Sequence, residues 1–203
     1  MKGYRVVRVR RRRENKTDYK ARIGLLKSNI PRFVVRKTNR YIIAQVIKSK
    51  EAQDSTLYSI NSKELQNYGY NSSFKNIPAS YLTGFLLGVK ARKDIKKAIL
   101  DIGLQRSTKG SKLYAALKGF IDSGVEVSHS EGMLPDEKRI KGEHTKKPLN
   151  IEEIKKKIEQ GAPSSQKTAK KVEEKIKTEI SKPQNITAKK QMNIQNKPLT
   201  AKK

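Results

Sequence analysis

Residues 98–124 combine three patterns that together restrict the fold: a short apolar run, a basic loop that contains glycine, and a helix with one apolar face. The apolar run 98–102 has the length of a buried strand, and Gly103 ends it. Ser111 stands where a helix N-cap belongs, and Gly124 is placed to stop the helix. The loop cations and the helix N-terminus favour phosphate binding, although a plain β–α unit with a soluble loop explains the same pattern.

An antiparallel meander precedes this unit in the predicted order of elements. Residues 32–37 and 41–48 have strand composition with a turn between them, and residues 56–60 form a third strand. A helix from Ile77 to about Arg92 follows, and two glycines four residues apart in it permit another element to approach closely. The predicted fold class is α/β: a three-stranded antiparallel meander followed by helix–strand–helix in one small mixed sheet, with a basic N-terminal arm and a lysine-rich C-terminal extension.

The charge of the chain points to a polyanionic partner. Its 203 residues include 47 Lys and Arg but 19 Asp and Glu, which gives a formal net charge of +28. Nucleic acid is the first candidate partner, and an anionic membrane surface is the second. The apolar runs fall short of the roughly 20 residues that a membrane span needs, and the basic N-terminus lacks the apolar core of a signal peptide. Because cysteine is absent, disulfides, cysteine-ligated zinc and thiol catalysis are excluded, but the compartment does not follow from this absence. We expect a cytosolic protein.

Composition divides the chain into four parts. Residues 1–22 form a basic arm, which we expect to be disordered when free and to order on RNA. Residues 23–128 form the α/β RNA-binding domain. Residues 129–150 contain so little apolar surface that we expect them to lie extended on a surface. Residues 151–203 form a lysine-rich tail, partly helical and partly disordered.

Two helix starts are predicted outside the central unit. One helix begins near Thr17, with Thr17 or Asp18 as its cap, and carries the apolar residues of 23–26 toward the core. At the start of the tail, Asn150 and Glu153 resemble a capping box ahead of isoleucines at helical spacing. Both segments are thus predicted to be amphipathic helices at the edges of the domain.

The meander is expected to present two different faces. One face packs on helices, and the other carries Arg36 and Gln45 together with the hairpin cations Lys37 and Arg40. A polar, basic sheet face of this kind suits RNA, because phosphates and bases both interact with arginine. A solvated outer face explains each of these residues equally well.

A series of short motifs, in order over about residues 5–145, resembles a known family. The motifs are KTDY at 16–19, PRFVVR at 31–36, TNR at 38–40, EL at 64–65, YG at 68–69, PA at 78–79, YLTG at 81–84, LDIGL at 100–104, GS at 110–111, AALKG at 115–119, HSE at 129–131, RI at 139–140 and GEH at 142–144. The set resembles the large-subunit ribosomal proteins that bind 5S ribosomal RNA, numbered eighteen in bacteria and archaea and five in eukaryotes, in their archaeal form. The sequence departs from the pattern of this family at two places. The entry to the third strand is short and lacks a Gly-Asp turn, and the tail matches no motif of the family.

The resemblance implies a structural protein that binds 5S rRNA, large-subunit rRNA in the central protuberance, and neighbouring ribosomal proteins. It implies no catalytic residue, cofactor, metal, membrane or small-molecule substrate. The RNA-contact residues that it implies are Arg10, Arg11, Arg12, Arg13, Lys16, Tyr19, Lys20 and Arg22 in the arm, Arg32, Arg36, Lys37, Asn39 and Arg40 in the first hairpin, and Lys109, Ser111 and Lys112 before the last predicted helix.

Three other functions are compatible with the composition. A metal-dependent RNA-processing enzyme needs several carboxylates at one place, but Asp94, Asp101 and Asp122 fall on different predicted elements, and Asp101 is better explained as a helix-cap or loop-fixing residue. His129 and His144 lack the spacing of metal ligands. A generic polyanion-binding protein and a basic peripheral membrane protein are the remaining alternatives.

Overall fold

A computed structural model describes residues 10–51, 53–143 and 150–161 of the protein. The predictions for residues 1–9 of the arm, for His144 and for residues 162–203 of the tail lie outside the described residues. The helices are α1 (Arg10–Arg13), α2 (Tyr19–Leu26), α3 (Ile77–Ala91), α4 (Lys112–Asp122), α5 (Glu137–Lys141) and α6 (Ile151–Glu159). The strands are β1 (Arg32–Lys37), β2 (Ile42–Lys50), β3 (Gln53–Asn61), β4 (Lys97–Asp101) and β5 (Glu126–Val127), and two 3₁₀ helices span Ser62–Tyr68 and Glu131–Met133.

The described strands form a mixed sheet in the order β3-β2-β1-β4-β5. The first three strands pair antiparallel, whereas β4 runs parallel to β1 and β5 parallel to β4. This arrangement confirms the predicted α/β class and the single mixed sheet. The second and third strands are longer than predicted, because Ser49 pairs with Asp54 and Lys50 with Gln53 at the end of the hairpin. These polar residues give no strand signal, so the turn predicted at 51–54 was too wide.

Helices α3 and α4 cover one face of the sheet and lie unusually close to each other. A Cβ atom on Gly84 would overlap the backbone of Ala116, and a Cβ on Gly119 would overlap the carbonyl oxygen of Tyr81. The close approach predicted for the glycines of α3 is therefore confirmed, and α4 is the element that approaches. Below the helices, Phe33 of β1 stacks on Phe120 with ring centroids 4.2 Å apart.

Helix α3 is buried around almost its whole circumference, rather than along one apolar stripe. Its polar residues are accommodated because their hydroxyls bond to the helix itself: Ser80 Oγ donates to the Asn76 carbonyl at 3.0 Å, and Thr83 Oγ1 donates to the Ala79 carbonyl at 2.7 Å. The N-terminus is capped by Asn76 Oδ1, which accepts from the Ala79 N–H at 2.8 Å. This central helix thus fixes the positions of the elements around it.

The residues after β5 pack on the domain, in contrast to the sequence expectation. Residues 129–143, predicted to be extended, contain a 3₁₀ helix and α5, and Ile140 of α5 is buried in the core. The helix predicted at the start of the tail forms as α6, and Ile151, Ile154 and Ile158 are also buried in this core. The capping box is not formed: the Asn150 side-chain amide donates to Glu153 Oε1 at 2.6 Å instead.

Helix α2 lies over the other face of the sheet. Asp18 caps it as predicted, with Oδ1 accepting from the Lys20 and Ala21 N–H groups at 2.9 and 3.1 Å. The prediction that α2 carries apolar residues into the core is wrong, since Ile23 is 54% exposed and Leu25 and Leu26 are half-buried. The helix covers a polar face of the sheet, so its own apolar residues have no core to enter.

Candidate nucleic-acid interface

A groove of about 850 Å³ runs between α2 and the uncovered face of the sheet. The arm and α2 supply its basic side chains, and the sheet supplies both charged and apolar side chains. It is lined by Arg11, Lys16, Thr17, Asp18, Ala21, Arg22, Gly24, Leu25, Arg32, Val34, Arg36, Gln45, Ile47, Asp54, Leu100, Asp101, Ile102, Gly103, Leu104 and Gln105. The groove therefore lies where the basic arm meets the meander.

Arg32 is the centre of an ion-pair network beneath the groove. The residue is 3% exposed, and its two terminal nitrogens donate to Asp101 Oδ2 and to Asp54 Oδ1, each at 2.8 Å. The same Nη2 lies 3.2 Å from Ser49 Oγ. These bonds tie β1 to β2, β3 and β4. Arg32 is a sheet-organising residue, so its position does not support the direct RNA contact that the family resemblance implied for it.

Asp54 connects this network to α2. Its Oδ2 accepts from Arg22 Nη2 at 2.8 Å, and its Oδ1 accepts from Ser49 Oγ at 2.6 Å as well as from Arg32. Burial by itself raises the pKa of Asp54, but the hydrogen bonds from Ser49, Arg22 and Arg32 outweigh it and lower the pKa from 3.8 to about 2. The carboxylate therefore stays ionised at neutral pH and holds α2 on the sheet.

Arg36 is fixed at the wall of the groove by acceptors of the β1 and β4 strands. Its Nη1 donates to the carbonyl oxygens of Val35 at 3.0 Å and Asp101 at 2.9 Å, and its Nη2 donates to Asp101 Oδ1 at 3.1 Å. Asp101 Oδ1 also accepts from the Gly103 N–H at 2.8 Å, which confirms the loop-fixing role expected of this carboxylate. The Arg36 side chain is still 40% exposed.

A second basic cluster lies at the N-terminus of α4. Burial lowers the pKa of Lys112, and the nearby positive charges of Lys75 and Lys37 lower it further. Ser111 occupies the predicted N-cap, but its hydroxyl finds no hydrogen-bond partner in the part of the chain that the structure describes. The first-turn N–H groups of α4 thus receive no side-chain cap, and the cluster brings the first hairpin next to the loop before α4.

The other sequence-predicted contact residues lie mostly on the surface. The exposed ones are Arg10, Arg11, Arg12, Arg13, Lys16, Lys20, Lys37, Asn39, Arg40 and Lys109, and the half-buried ones are Tyr19, Arg22, Arg36, Ser111 and Lys112. Five of the predicted residues, Arg11, Lys16, Arg22, Arg32 and Arg36, line the groove. Lys37 and Lys112 belong to the second cluster. The predicted contact residues therefore lie mainly at the groove, at this second cluster and in the arm.

Sequence reasoning missed three residues of these sites. Asp54 lies in a predicted turn, Gln105 in a predicted loop, and Lys75 in a segment without a predicted helix or strand. Gln105 Nε2 donates to the Val35 carbonyl at 2.9 Å across the groove. One available signal was the arginine at position 32 directly before three apolar residues, because an arginine that is buried with such neighbours needs an acidic partner.

The three aspartates considered for metal-dependent chemistry are engaged separately. Asp94 accepts a hydrogen bond from the Tyr58 hydroxyl, and Asp122 accepts one from the Tyr81 hydroxyl at 2.6 Å, while Asp101 belongs to the arginine network. Among the described residues, no group of three or more His, Asp and Glu is placed to hold a metal ion. None of the helices in the described ranges is long and apolar enough to cross a membrane.

The fold and the site define a class: a basic α/β protein whose arm, groove and hairpin present arginine and lysine on the sheet face opposite α3 and α4. Comparison with known proteins gives the family. The model of the family described as ribosomal large subunit proteins 60S L5 and 50S L18 matches residues 2–97 and 88–130. The chain belongs to this family.

Curated relatives agree with this assignment. The large ribosomal subunit protein uL18 of Korarchaeum cryptofilum is 57% identical over 139 residues, which cover 68% of this chain and 71% of the relative. The protein of the same name from Methanoregula boonei is 51% identical over 140 residues, covering 68% and 80%. That of Methanococcus maripaludis is 48% identical over 141 residues, covering 69% and 73%. The chain is an archaeal-type, structural and non-enzymatic protein of the large ribosomal subunit, with rRNA and ribosomal proteins as its partners.

Proposed function

We propose that this protein binds 5S rRNA and helps to attach it to large-subunit rRNA in the central protuberance. The arm, the groove and the first hairpin form the interface, and the cluster at the α4 N-terminus extends it. Arg10, Arg11, Arg12, Arg13, Lys16, Tyr19, Lys20, Arg22, Arg36, Lys37, Asn39, Arg40, Lys109, Ser111 and Lys112 remain the proposed contact residues.

The observation that carries the proposal is the separation of paired from unpaired cations. Within the groove, Asp54 and Asp101 are engaged by arginines, so these pairs attract phosphate weakly. Around the groove, Lys37 and Arg40 of the hairpin are exposed, and the structure gives them no carboxylate partner within the described residues. A folded RNA with closely spaced phosphates matches such a rim, because A-form helices are recognised mainly through shape and backbone.

A salt-titrated filter-binding assay tests the proposal directly. The full chain is titrated against 5S rRNA with transfer RNA as competitor. The chain is not shortened at residue 150, because Ile151, Ile154 and Ile158 are buried in the core. Tight binding that survives the competitor at moderate salt supports the proposal. Equal binding to both RNAs that collapses with salt contradicts it and indicates a generic polyanion-binding protein.

A matched pair of variants locates the interface. Lys37→Ala removes an exposed lysine of the hairpin, and Lys156→Ala removes an exposed lysine of α6, which packs on α3. Lys37→Ala is expected to weaken 5S rRNA binding and to reduce the slope of log K against log salt by about 1. Lys156→Ala is expected to leave both unchanged. Equal effects of the two variants would place the interface elsewhere.

A further inference from the structure

Arg36 lines the groove, and one flat face of its guanidinium lies against Gly103. A Cβ built on Gly103 would lie 3.0 Å from Cζ, 3.0 Å from Nη2 and 3.2 Å from Nη1 of Arg36. These nearly equal distances place Gly103 above the guanidinium plane, since a point beside its edge would be clearly farther from Cζ than from the nitrogens. Gly103, at φ +60°, therefore covers one face of the plane, while the side chain remains 40% exposed.

The hydrogen-bonding edge of the same guanidinium is largely occupied. Both protons of Nη1 and one of Nη2 are donated to Val35 and Asp101, which leaves two of the five N–H donors for other partners. The Asp101 carboxylate beside it also repels a phosphate. Arg36 is thus poorly placed to bind phosphate through the edge of its guanidinium. The guanidinium face that Gly103 does not cover is the part suited to stacking.

The groove has both apolar and polar groups suited to a flat heteroaromatic ring. Val34 and Ile47 line it, as do Arg32 and Gln105. Gln105 Oε1 is buried and has no hydrogen-bond partner among residues 10–51, 53–143 and 150–161. Unpartnered buried donors and acceptors carry a desolvation cost that a bound ligand with complementary groups removes. Nucleobases carry both donors and acceptors on their edges.

We propose that the groove receives a single unstacked RNA base, which stacks on the face of the Arg36 guanidinium that Gly103 does not cover. This inference rests on the proposed function, because the base belongs to the bound rRNA. The volume of about 850 Å³ lies within the about 300–1,000 Å³ typical of small-molecule sites. Arg11 and Lys16 at the groove then face the phosphates that flank the base.

The test replaces the flat guanidinium without removing its charge. Arg36→Lys in the full chain is compared with Arg92→Lys, the same change at an exposed arginine that follows α3 and lies outside the proposed interface. Filter binding to 5S rRNA is expected to show a loss of about tenfold for Arg36→Lys with an unchanged salt slope, because stacking is lost and charge is kept. Arg92→Lys is expected to bind like the wild type. Thermal melting checks that each variant is folded.

Chemical probing supplies the second readout. Dimethyl sulfate modifies accessible adenine and cytosine, and a carbodiimide modifies accessible guanine and uracil. The wild type is expected to protect one unpaired base that becomes reactive with Arg36→Lys. Ile47→Phe, which fills the groove and keeps every charge, is expected to give the same loss of protection and serves if Arg36→Lys melts early.

The outcomes separate the two proposals. If the wild type prefers 5S rRNA over transfer RNA but both groove variants match Arg92→Lys in affinity and footprint, the base site is refuted and the proposed function stands. If the wild type shows no preference for 5S rRNA, the proposed function fails first, and the base site in that RNA fails with it.

Discussion

Replacing Arg32 with methionine tests whether the arginine network is structural. Methionine is nearly as long as the aliphatic part of arginine and fills much of its space, so the change mainly removes a buried positive charge. Asp101, whose side chain is 9% exposed, then loses a 2.8 Å ion pair, and Asp54 loses another. The folded variant retains both carboxylates, but neither of them has the Arg32 guanidinium as a partner any longer.

The expected cost follows from the partners that remain. Removing one member of a buried ion pair typically costs about 3–5 kcal/mol, because the other charge stays buried without compensation. Here Asp101 keeps Arg36 at 3.1 Å and the Gly103 N–H at 2.8 Å, and Asp54 keeps Arg22 at 2.8 Å. We therefore expect a loss at or just below the lower limit of that range, about 2–3 kcal/mol in the free energy of unfolding.

Urea unfolding of the full chain at neutral pH measures this loss. Arg40→Met is the matched control, because the same substitution at an exposed position is expected to change stability little. Asp101→Asn added to Arg32→Met is expected to recover part of the loss by removing the unpaired charge. The reasoning is refuted if Arg32→Met costs less than about 1 kcal/mol, or if the double variant is as unstable as the sum of the two single ones.

Three further predictions follow from the same structure. Because folding lowers the pKa of Asp54 from 3.8 to about 2, its ion pairs stabilise the protein above about pH 4 and are lost as pH falls toward 2, so urea unfolding should show the wild-type advantage over Asp54→Asn shrinking in that interval. Gly119→Ala should lower the melting temperature sharply because its Cβ meets backbone, whereas Gly24→Ala, with open space around it, should raise stability by about 0.5–1 kcal/mol. Deleting residues 1–15 should weaken RNA binding in salt-titrated filter assays more than deleting 181–203; equal losses would deny the arginine arm a special role.

The sequence predicts the elements of this fold that have strong local patterns. The strand at 32–37, the helix that begins at Ile77 and the strand–loop–helix unit around Gly103 are each found within a few residues of their predicted limits. Local periodicity sufficed there because each element buries a continuous apolar surface. It did not predict α5, whose docking depends on the single isoleucine Ile140, and although it predicted the helix α6, it did not predict that the isoleucines of α6 enter the core of the domain.

The site was predictable by composition but not by geometry. The exposed arginines and the hairpin cations follow from charge and position, whereas the burial of Arg32 depends on Asp54 and Asp101, which lie 22 and 69 residues away in sequence. Two such partners cannot be chosen from among 19 acidic residues without the strand register. The fixed orientation of Arg36 has the same origin, since its acceptors come from β1 and from the parallel neighbour β4.

The network also separates two contributions to RNA binding that one variant series can distinguish. In the groove, Asp54 and Asp101 largely neutralise the three arginines that contact them. These three arginines therefore add little to the salt dependence of binding. The rim cations, such as Lys37, keep their full charge and determine the slope. On the proposals above, Lys37→Ala lowers the slope, and Arg36→Lys lowers affinity equally at all salt concentrations. Lys37 acts through its charge and Arg36 through stacking, so the combined variant is expected to show both changes. The two losses in log K, measured by filter binding, are expected to be additive. A change of slope with Arg36→Lys would mean that its guanidinium binds phosphate, and the assignment of the groove to a base would be wrong.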